Sequence, residues 1–313
     1  MSEPIRVLIA DDMSKKAVEI LSGAGFAVDF KIGMKPEELA AVIGEYHGVG
    51  IRSASKITPA TLANPGKLKI IGRAGVGVDN IDVKAATEKG ILVINTPQGN
   101  AAAAAELAIG LMFALARKIP QAAQSMRQGI WEKKKFMGAE IAGKTLGVVG
   151  LGNIGRQAAE RGVGLKMNVV GFDPYPPKSL PAGVKAVSFD ELCAQADFIT
   201  LHVPLGPETK GLFGAATFAK MKKGSYLINC ARGGVVDEAA VLDALNAGQL
   251  AGVALDVFAK EPPEPSPLFA HENLIAIPHL GASTREAQEK VAIELAEVFV
   301  GFLKDGIVRN AVK

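Results

Sequence analysis

Cysteine is nearly missing: Cys193 and Cys230 are the only two in 313 residues. They lie far apart, in neither a CxxC nor a metal-like spacing. A disulfide framework is thereby excluded, and the expected setting is a reducing compartment, the cytoplasm. The four histidines, His47, His202, His271 and His279, form no HExxH pattern, so no metal is expected. Strong charge of either sign is also lacking. A net charge of +3 is small for this length and leaves no footprint for nucleic acid or an anionic membrane. The one basic run, Lys133-Lys134-Lys135, reads as a solvated face. Residues 101–116 are strongly apolar, but Glu106 interrupts them and they are too short and alanine-rich for a bilayer span. The N-terminal Met-Ser-Glu-Pro-Ile-Arg has no apolar signal core.

What remains is the composition of a soluble globular chain, 49% hydrophobic and 21% charged. At about 150 residues per domain, the length predicts two domains. In the first hundred residues, short β-rich runs at 7–10, 27–30, 49–52, 69–72 and 92–94 alternate with helix-like segments near 15–22, 36–43, 58–64 and 83–89. Such alternation predicts a parallel sheet with helices on both faces. Asp11-Asp12-Met13 follows the first strand, where a phosphate-binding glycine turn would otherwise stand. Residues 101–118 read as a helix apolar nearly all round, which must be buried on most sides. Packing against a second subunit is the expected cover, hence a dimer.

A second α/β unit begins near Thr145. Gly150-Leu-Gly152-Asn-Ile-Gly155 follows the β-rich run 145–149, and a helix-like segment continues through 156–161. About twenty residues on, a second apolar run ends in Asp173. Strand, glycine turn, helix, strand and acid form a dinucleotide-binding fingerprint. The first glycine makes the turn, the second admits a pyrophosphate to bare backbone, and the third lets the helix pack close. A carboxylate at the second strand end accepts from ribose hydroxyls and repels a 2′-phosphate. Asp173 therefore favours NAD over NADP. Strands at 198–203, 226–229, 252–255 and 274–276 alternate with helices at 189–194, 214–221, 238–247 and 287–303. The last helix, opened by Ser283-Thr284-Arg285-Glu286, lies beyond the final strand and is free to return to the first domain.

Three polar residues follow successive strands of this unit: Arg232, Glu261 and His279. Strand C-termini of a parallel sheet share one edge, where ligands bind. The trio suits hydride transfer at a 2-hydroxy acid. Arg232 can fork a carboxylate, His279 can take the hydroxyl proton, and Glu261 can orient the imidazole and stabilise its charged form. Singly, each has an ordinary reading as an ion pair, a loop acid or a core histidine; the combination after three strands is what favours catalysis.

Further segments stand in one order along nearly the whole chain. They are Gly72-Arg-Ala-Gly-Val-Gly-Val-Asp-Asn-Ile-Asp82, Asn95-Thr-Pro-Gln-Gly-Asn100, the 150–155 fingerprint, Asn229-Cys-Ala-Arg-Gly-Gly-Val-Val-Asp-Glu238, Leu255-Asp-Val-Phe258 and Pro278-His-Leu-Gly-Ala-Ser-Thr284. Together they resemble the D-isomer-specific 2-hydroxyacid dehydrogenases, and most closely the branch that oxidises D-3-phosphoglycerate at the start of serine biosynthesis. The resemblance implies an α/β fold of two Rossmann-like or flavodoxin-like parallel-sheet domains. A substrate domain (1–98 plus 286–313) would receive an NAD-binding domain (99–285) as an insertion. That domain carries the dimerisation helix of a homodimer or dimer of dimers.

Residue by residue, the resemblance assigns Arg232, Glu261 and His279 to catalysis. NAD contacts fall at Gly150, Gly152, Asn153, Ile154, Gly155, Asp173, Val203, Cys230, Asp256, His279 and Ala282. The substrate, a phosphorylated 2-hydroxy acid, falls to Arg52, Ser53, Arg73, Gly75, Val76, Asn100 and Arg232. Lys133 stands where relatives place a basic residue that reaches the neighbouring subunit. Val76 and Val203 occupy places where relatives often carry Thr, so a hydroxyl contact there is lost. The chain stops at Lys313, so a C-terminal regulatory domain and serine inhibition through it are not expected. Two other readings stay open: a glyoxylate or hydroxypyruvate reductase, which needs no phosphate cluster, and an NAD-sensing corepressor-like binding module.

Overall fold

Runs rich in Val and Ile build the first sheet of the computed structural model, which describes residues 3–312. Its strands are β1 (Arg6–Ile9), β2 (Ala27–Phe30), β3 (Gly48–Ile51), β4 (Ile70–Arg73) and β5 (Leu92–Asn95). All pairs are parallel, in the order β2-β1-β3-β4-β5. Side chains alternate across a strand: Val7 and Ile9 join one apolar cluster and Leu8 the other. Because both faces are covered, the strands read as unbroken apolar runs instead of alternating ones. Helices α1 (Lys16–Gly23), α2 (Pro36–Val42) and α3 (Val83–Glu88) lie in the connections. The chain order reverses between β1 and β3, a topological switch point where a crevice opens beyond the strand ends.

The helix expected over 58–64 does not form. Thr58 and Thr61 instead bond each other's backbone N–H through their hydroxyls, each at 3.3 Å. These local bonds compete with a helical ladder, Pro59 and Pro65 bracket the segment, and it settles into turns.

The second sheet runs β6 (Thr145–Val149), β7 (Asn168–Phe172), β8 (Val184–Ala186), β9 (Phe198–Leu201), β10 (Ser225–Asn229), β11 (Leu250–Leu255) and β12 (Leu274–Ala276) along the chain. It is parallel throughout, with spatial order β12-β11-β10-β9-β6-β7-β8. Helices α4 (Ala101–Arg117), α5 (Ile119–Arg127), α6 (Asn153–Gly164), α7 (Phe189–Gln195), α8 (Ala215–Lys220) and α9 (Glu238–Asn246) accompany it. The order reverses between β6 and β9, directly beyond which Gly150 and His202 stand. Helix α4 finds most of its cover on this sheet: Ala108, Leu111, Met112 and Leu115 pack with Leu146, Phe198, Ile228 and Ala254. Its all-round apolarity is largely accounted for within the chain. It ends at Lys118, whose φ of +50° turns the backbone out of the helix, and Pro120 in the first turn starts α5.

The last helix, α10 (Arg285–Asp305), starts under a Thr284 cap, with Ala287 N donating to Oγ1 at 3.1 Å. Its apolar face covers the first sheet. Phe299, fully buried, lies over Gly48 and Gly72, whose missing side chains make room for its ring. Burying such a ring stabilises by about 1.5–3 kcal/mol over leaving it exposed. The chain thus divides into a unit of Met1–Ala101 with Ala282–Lys313 and a unit of Ala102–Gly281. No helix among the described residues is long and apolar enough to cross a membrane.

Candidate active site

Strand β6 leads into Gly150, whose φ is +91°. A side chain here would be strained, and its Cβ would stand 2.5 Å from the carbonyl oxygen of His202. Gly155 abuts the Gly150 carbonyl oxygen, so α6 starts as close to the strand as backbone allows. Gly152 is the N-cap, with no side-chain cap and nothing within 4 Å of a would-be Cβ. The first turn of α6, at Asn153 and Ile154, carries the positive end of the helix dipole, which fits a pyrophosphate.

Asp173 follows β7. Its Oδ2 accepts from Leu151 N and its Oδ1 from Tyr175 N, both at 2.8 Å. These bonds fix the carboxylate's orientation and leave each oxygen a lone pair for a ribose hydroxyl. Val203 and Cys230, beyond β9 and β10, are both buried. Burial, helped by the charge of Asp256, drives the Cys230 thiol far above its ordinary range, so it acts as a neutral wall and not as a nucleophile. Together these residues fit NAD.

The three candidate catalytic residues follow β10, β11 and β12, neighbours in the sheet with Asn229, Leu255 and Ala276 side by side in register. Asn229 is buried and shapes the Arg232 turn: its Oδ1 accepts from Ala231 N and its Nδ2 donates to Arg232 O, each at 3.0 Å. Arg232 Nη1 donates to Ala231 O at 2.7 Å. The next residue, Gly233, presses so close to the Phe258 carbonyl that no Cβ would fit. This contact sets the Arg232 turn against the loop that carries Glu261. Glu261 Oε1 accepts from Phe258 N at 3.1 Å, and Oε2 meets His279 Nδ1 at 2.7 Å.

His279 itself has a φ of +53°, a conformation that needs local support. Asp256 supplies it. This fully buried residue accepts from His279 N through its carbonyl at 2.9 Å. Its carboxylate accepts from Leu280 N at 2.5 Å and Gly281 N at 2.8 Å. Burial raises the Asp256 pKa, and those two N–H groups oppose the rise by stabilising the ionised form. The sequence singled out Asp256 as a cofactor contact; its grip on the histidine turn is an addition. A pocket of about 420 Å³ opens against the pair, walled by Phe258, Pro262, Phe269, Ile277 and Pro278.

Apart from Arg232, the expected substrate residues lie in the first unit. Arg52 follows β3 and Arg73 ends β4, with Ile51 and Arg73 paired in register. Exposed Ser53 comes next in the same loop. Gly75 has a φ of +151°, and the Arg73 guanidinium occupies the place its side chain would take. Thr96, buried and not foreseen, fixes this turn: Gly75 N donates to its Oγ1 at 2.7 Å, and Thr96 N to Gly75 O at 3.0 Å. The Val76 carbonyl accepts from Asn95 Nδ2 at 2.6 Å. Asn100 is buried, and its Oδ1 has no hydrogen-bond partner among the described residues. Ala282 falls with this unit in the division of the chain. Lys133 opens an exposed 3-10 turn, Lys133–Phe136, in the other unit.

Residues 109–281 match the family described as D-isomer specific 2-hydroxyacid dehydrogenase, NAD binding domain. The chain is 49% identical over 311 residues to a D-3-phosphoglycerate dehydrogenase of Archaeoglobus fulgidus, covering 98% of this chain and 59% of that one. It is 50% identical over 301 residues to a D-3-phosphoglycerate dehydrogenase of Homo sapiens, covering 96% and 56%. The chain thus spans somewhat more than half the length of these relatives. Among solved structures, a glyoxylate reductase from Paecilomyes thermophila superposes with a TM-score of 0.90 at 30% identity, with 99% of each chain covered.

Proposed function

Given that the chain belongs to the D-isomer specific 2-hydroxyacid dehydrogenase family, we propose that it oxidises D-3-phosphoglycerate reversibly to 3-phosphohydroxypyruvate with NAD. The observation that carries the reading is the 2.7 Å bond between His279 Nδ1 and Glu261 Oε2 at the sheet edge. With Nδ1 engaged, Nε2 is the atom left to exchange a proton with the substrate's C2 hydroxyl. Glu261 stabilises the imidazolium that forms, and Arg232 forks the carboxylate so that C2 is held in place. Bound NAD supplies a nicotinamide that takes up or returns the hydride. The family resemblance also assigns the backbone at Gly75 and Val76, with Asn100, to substrate binding.

The phosphate falls to Arg52 and Arg73, carried by neighbouring strands, and the identity to relatives named as phosphoglycerate dehydrogenases supports that choice. The test compares kcat/KM for D-3-phosphoglycerate and D-glycerate. Arg52→Ala is expected to lower the first value about a hundredfold and the second less than about threefold. Equal losses, or no preference in the parent chain, would favour a reductase of unphosphorylated hydroxy acids.

The segment from α5 to the 3-10 turn exposes Ile119, Met126, Ile130, Trp131 and Met137. We assign this apolar stretch to a homodimer contact through the nucleotide-binding unit, which would also bring Lys133 to a second copy. Light scattering is expected to give the mass of two or four chains at micromolar concentration; the mass of one chain would refute it. The buried, unpaired Cys193 and Cys230 suit a cytoplasmic setting.

A further inference from the structure

The switch point between β1 and β3 carries a layer of residues behind the expected phosphate site. Asp11, which follows β1, is 3% exposed. Its Oδ2 accepts from Arg52 N at 2.6 Å, and Ser55 N lies 3.1 Å from both carboxylate oxygens. The Ser55 hydroxyl donates to Oδ1 at 2.6 Å. The carbonyl of the next residue, Asp12, accepts from Arg52 Nη1 at 3.0 Å. From the other side, Asn80 Nδ2 donates to Arg52 O at 2.7 Å and to Ser55 O at 2.6 Å. The backbone donor and acceptor of both Arg52 and Ser55 are therefore held by two side chains from elsewhere in the sequence. The Arg52 guanidinium is tethered as well.

Loops that follow strands are ordinarily mobile surface segments. This one is pinned at both ends, and a buried carboxylate is spent on the task. Burying that charge is costly unless donors satisfy it; here two backbone N–H groups and a hydroxyl do so. The bonds hold fixed a loop whose tip, Ser53 and Ala54, and whose cation, Arg52, lie at the C-terminal end of β3, beside the switch point. A site held in its binding geometry loses less conformational freedom on capturing a ligand than a mobile one.

We propose that Asp11 and Asn80 are positioning residues that preset the Arg52–Ser55 loop for the phosphate of the substrate. This rests on the phosphoglycerate reading above. Neither side chain need touch the substrate; both act through Arg52 and its loop. Their influence is therefore confined to recognition of the phosphorylated end and leaves proton and hydride transfer alone.

The test uses the full chain as the parent, Arg52→Ala, Asp11→Asn, Asn80→Ala and the double variant Asp11→Asn/Arg52→Ala. For each, kcat/KM is measured for D-3-phosphoglycerate and for D-glycerate, and the ratio of the two is the readout. Asp11→Asn keeps the size but turns one acceptor into an NH₂ group facing N–H donors. Asn80→Ala removes both donations to the loop. Each is expected to lower the ratio about tenfold through a higher KM for the phosphorylated substrate, with kcat changed less than about threefold. In the double variant the ratio is expected to equal that of Arg52→Ala alone, because the clamp acts through the residue already removed. Should Asp11→Asn fail to fold, Asn80→Ala carries the test.

Parallel losses on both substrates would show a general structural role and overturn the proposal. So would an unchanged ratio in folded Asn80→Ala while Arg52→Ala collapses it, and that outcome leaves the phosphoglycerate reading standing. A parent chain with no preference for the phosphorylated substrate removes the reading and the proposal together.

Discussion

Replacing His279 with alanine is expected to lower kcat by about 10²–10⁴-fold, the usual contribution of a positioned general acid–base. NADH affinity, read by fluorescence titration, should change less than about threefold, since most of the proposed cofactor contacts, the glycine turn and Asp173 among them, lie far along the sheet from β12. The expectation follows from geometry. Asp256 grips the backbone of the 279–281 turn, and Glu261 grips the ring through Nδ1. The backbone bonds do not depend on the side chain, so what the substitution removes is the ring, with its bond to Glu261 and its Nε2 proton exchange. Glu261→Gln keeps a hydrogen-bonding group but no charge, and should lose less, about 10–100-fold. Retained turnover in the alanine variant would mean that another group moves the proton. Absence of turnover in the parent chain would leave the NAD-sensing module as the reading.

The second large effect is on stability. His202 follows β9 beside Gly150; its Nε2 bonds Thr200 Oγ1 at 3.0 Å, while its Nδ1 is buried without a partner. Burial lowers its pKa from 6.5 to about 4. The folded state thus binds this proton more weakly than the unfolded chain does. The stabilisation is fully present above pH 6.5 and is lost as pH falls through 6.5 to 4. The fall from 6.5 to about 4 corresponds to at most about 3.5 kcal/mol, at about 1.4 kcal/mol for each pH unit. Urea denaturation of the parent and of His202→Gln over that range should show the parent losing up to about 3.5 kcal/mol more. Parallel curves would mean that the imidazole titrates freely in the fold. Carboxylates contribute to acid lability in both proteins and cancel in the comparison.

What could be read beforehand follows from how local the determining physics is. The strands were legible because parallel strands covered on both faces are unbroken Val and Ile runs, such as TLGVV in β6. The cofactor turn was legible because Gly150 and Gly155 each answer a steric demand made within a few residues. Glu261 and His279 could be paired on paper because β11 and β12 are adjacent and end together. The misses come from interactions that local patterns do not carry. Helix α5 is largely polar and starts from a left-handed lysine, and β8 is a three-residue edge strand. The supposed helix at 58–64 gave way to two threonine hydroxyls. Asp11, Asn80 and Thr96 fix their loops through bonds spanning 21 to 44 residues in sequence, and one strand-end polar residue looks much like another until the partner is seen.

The placement of α10 sets an order on biosynthesis. The sheet of the first unit is synthesised well before the residues that cover one of its faces, Val291 through Phe299. A ribosome must deliver the whole intervening nucleotide-binding unit before that face can be sealed. Until then Val7, Ile9, Ile70 and Ile94 lack their permanent neighbours, and the nascent chain depends on transient cover, its own or a chaperone's, for the time needed to add some two hundred amino acids, about 10–40 s at ordinary elongation rates.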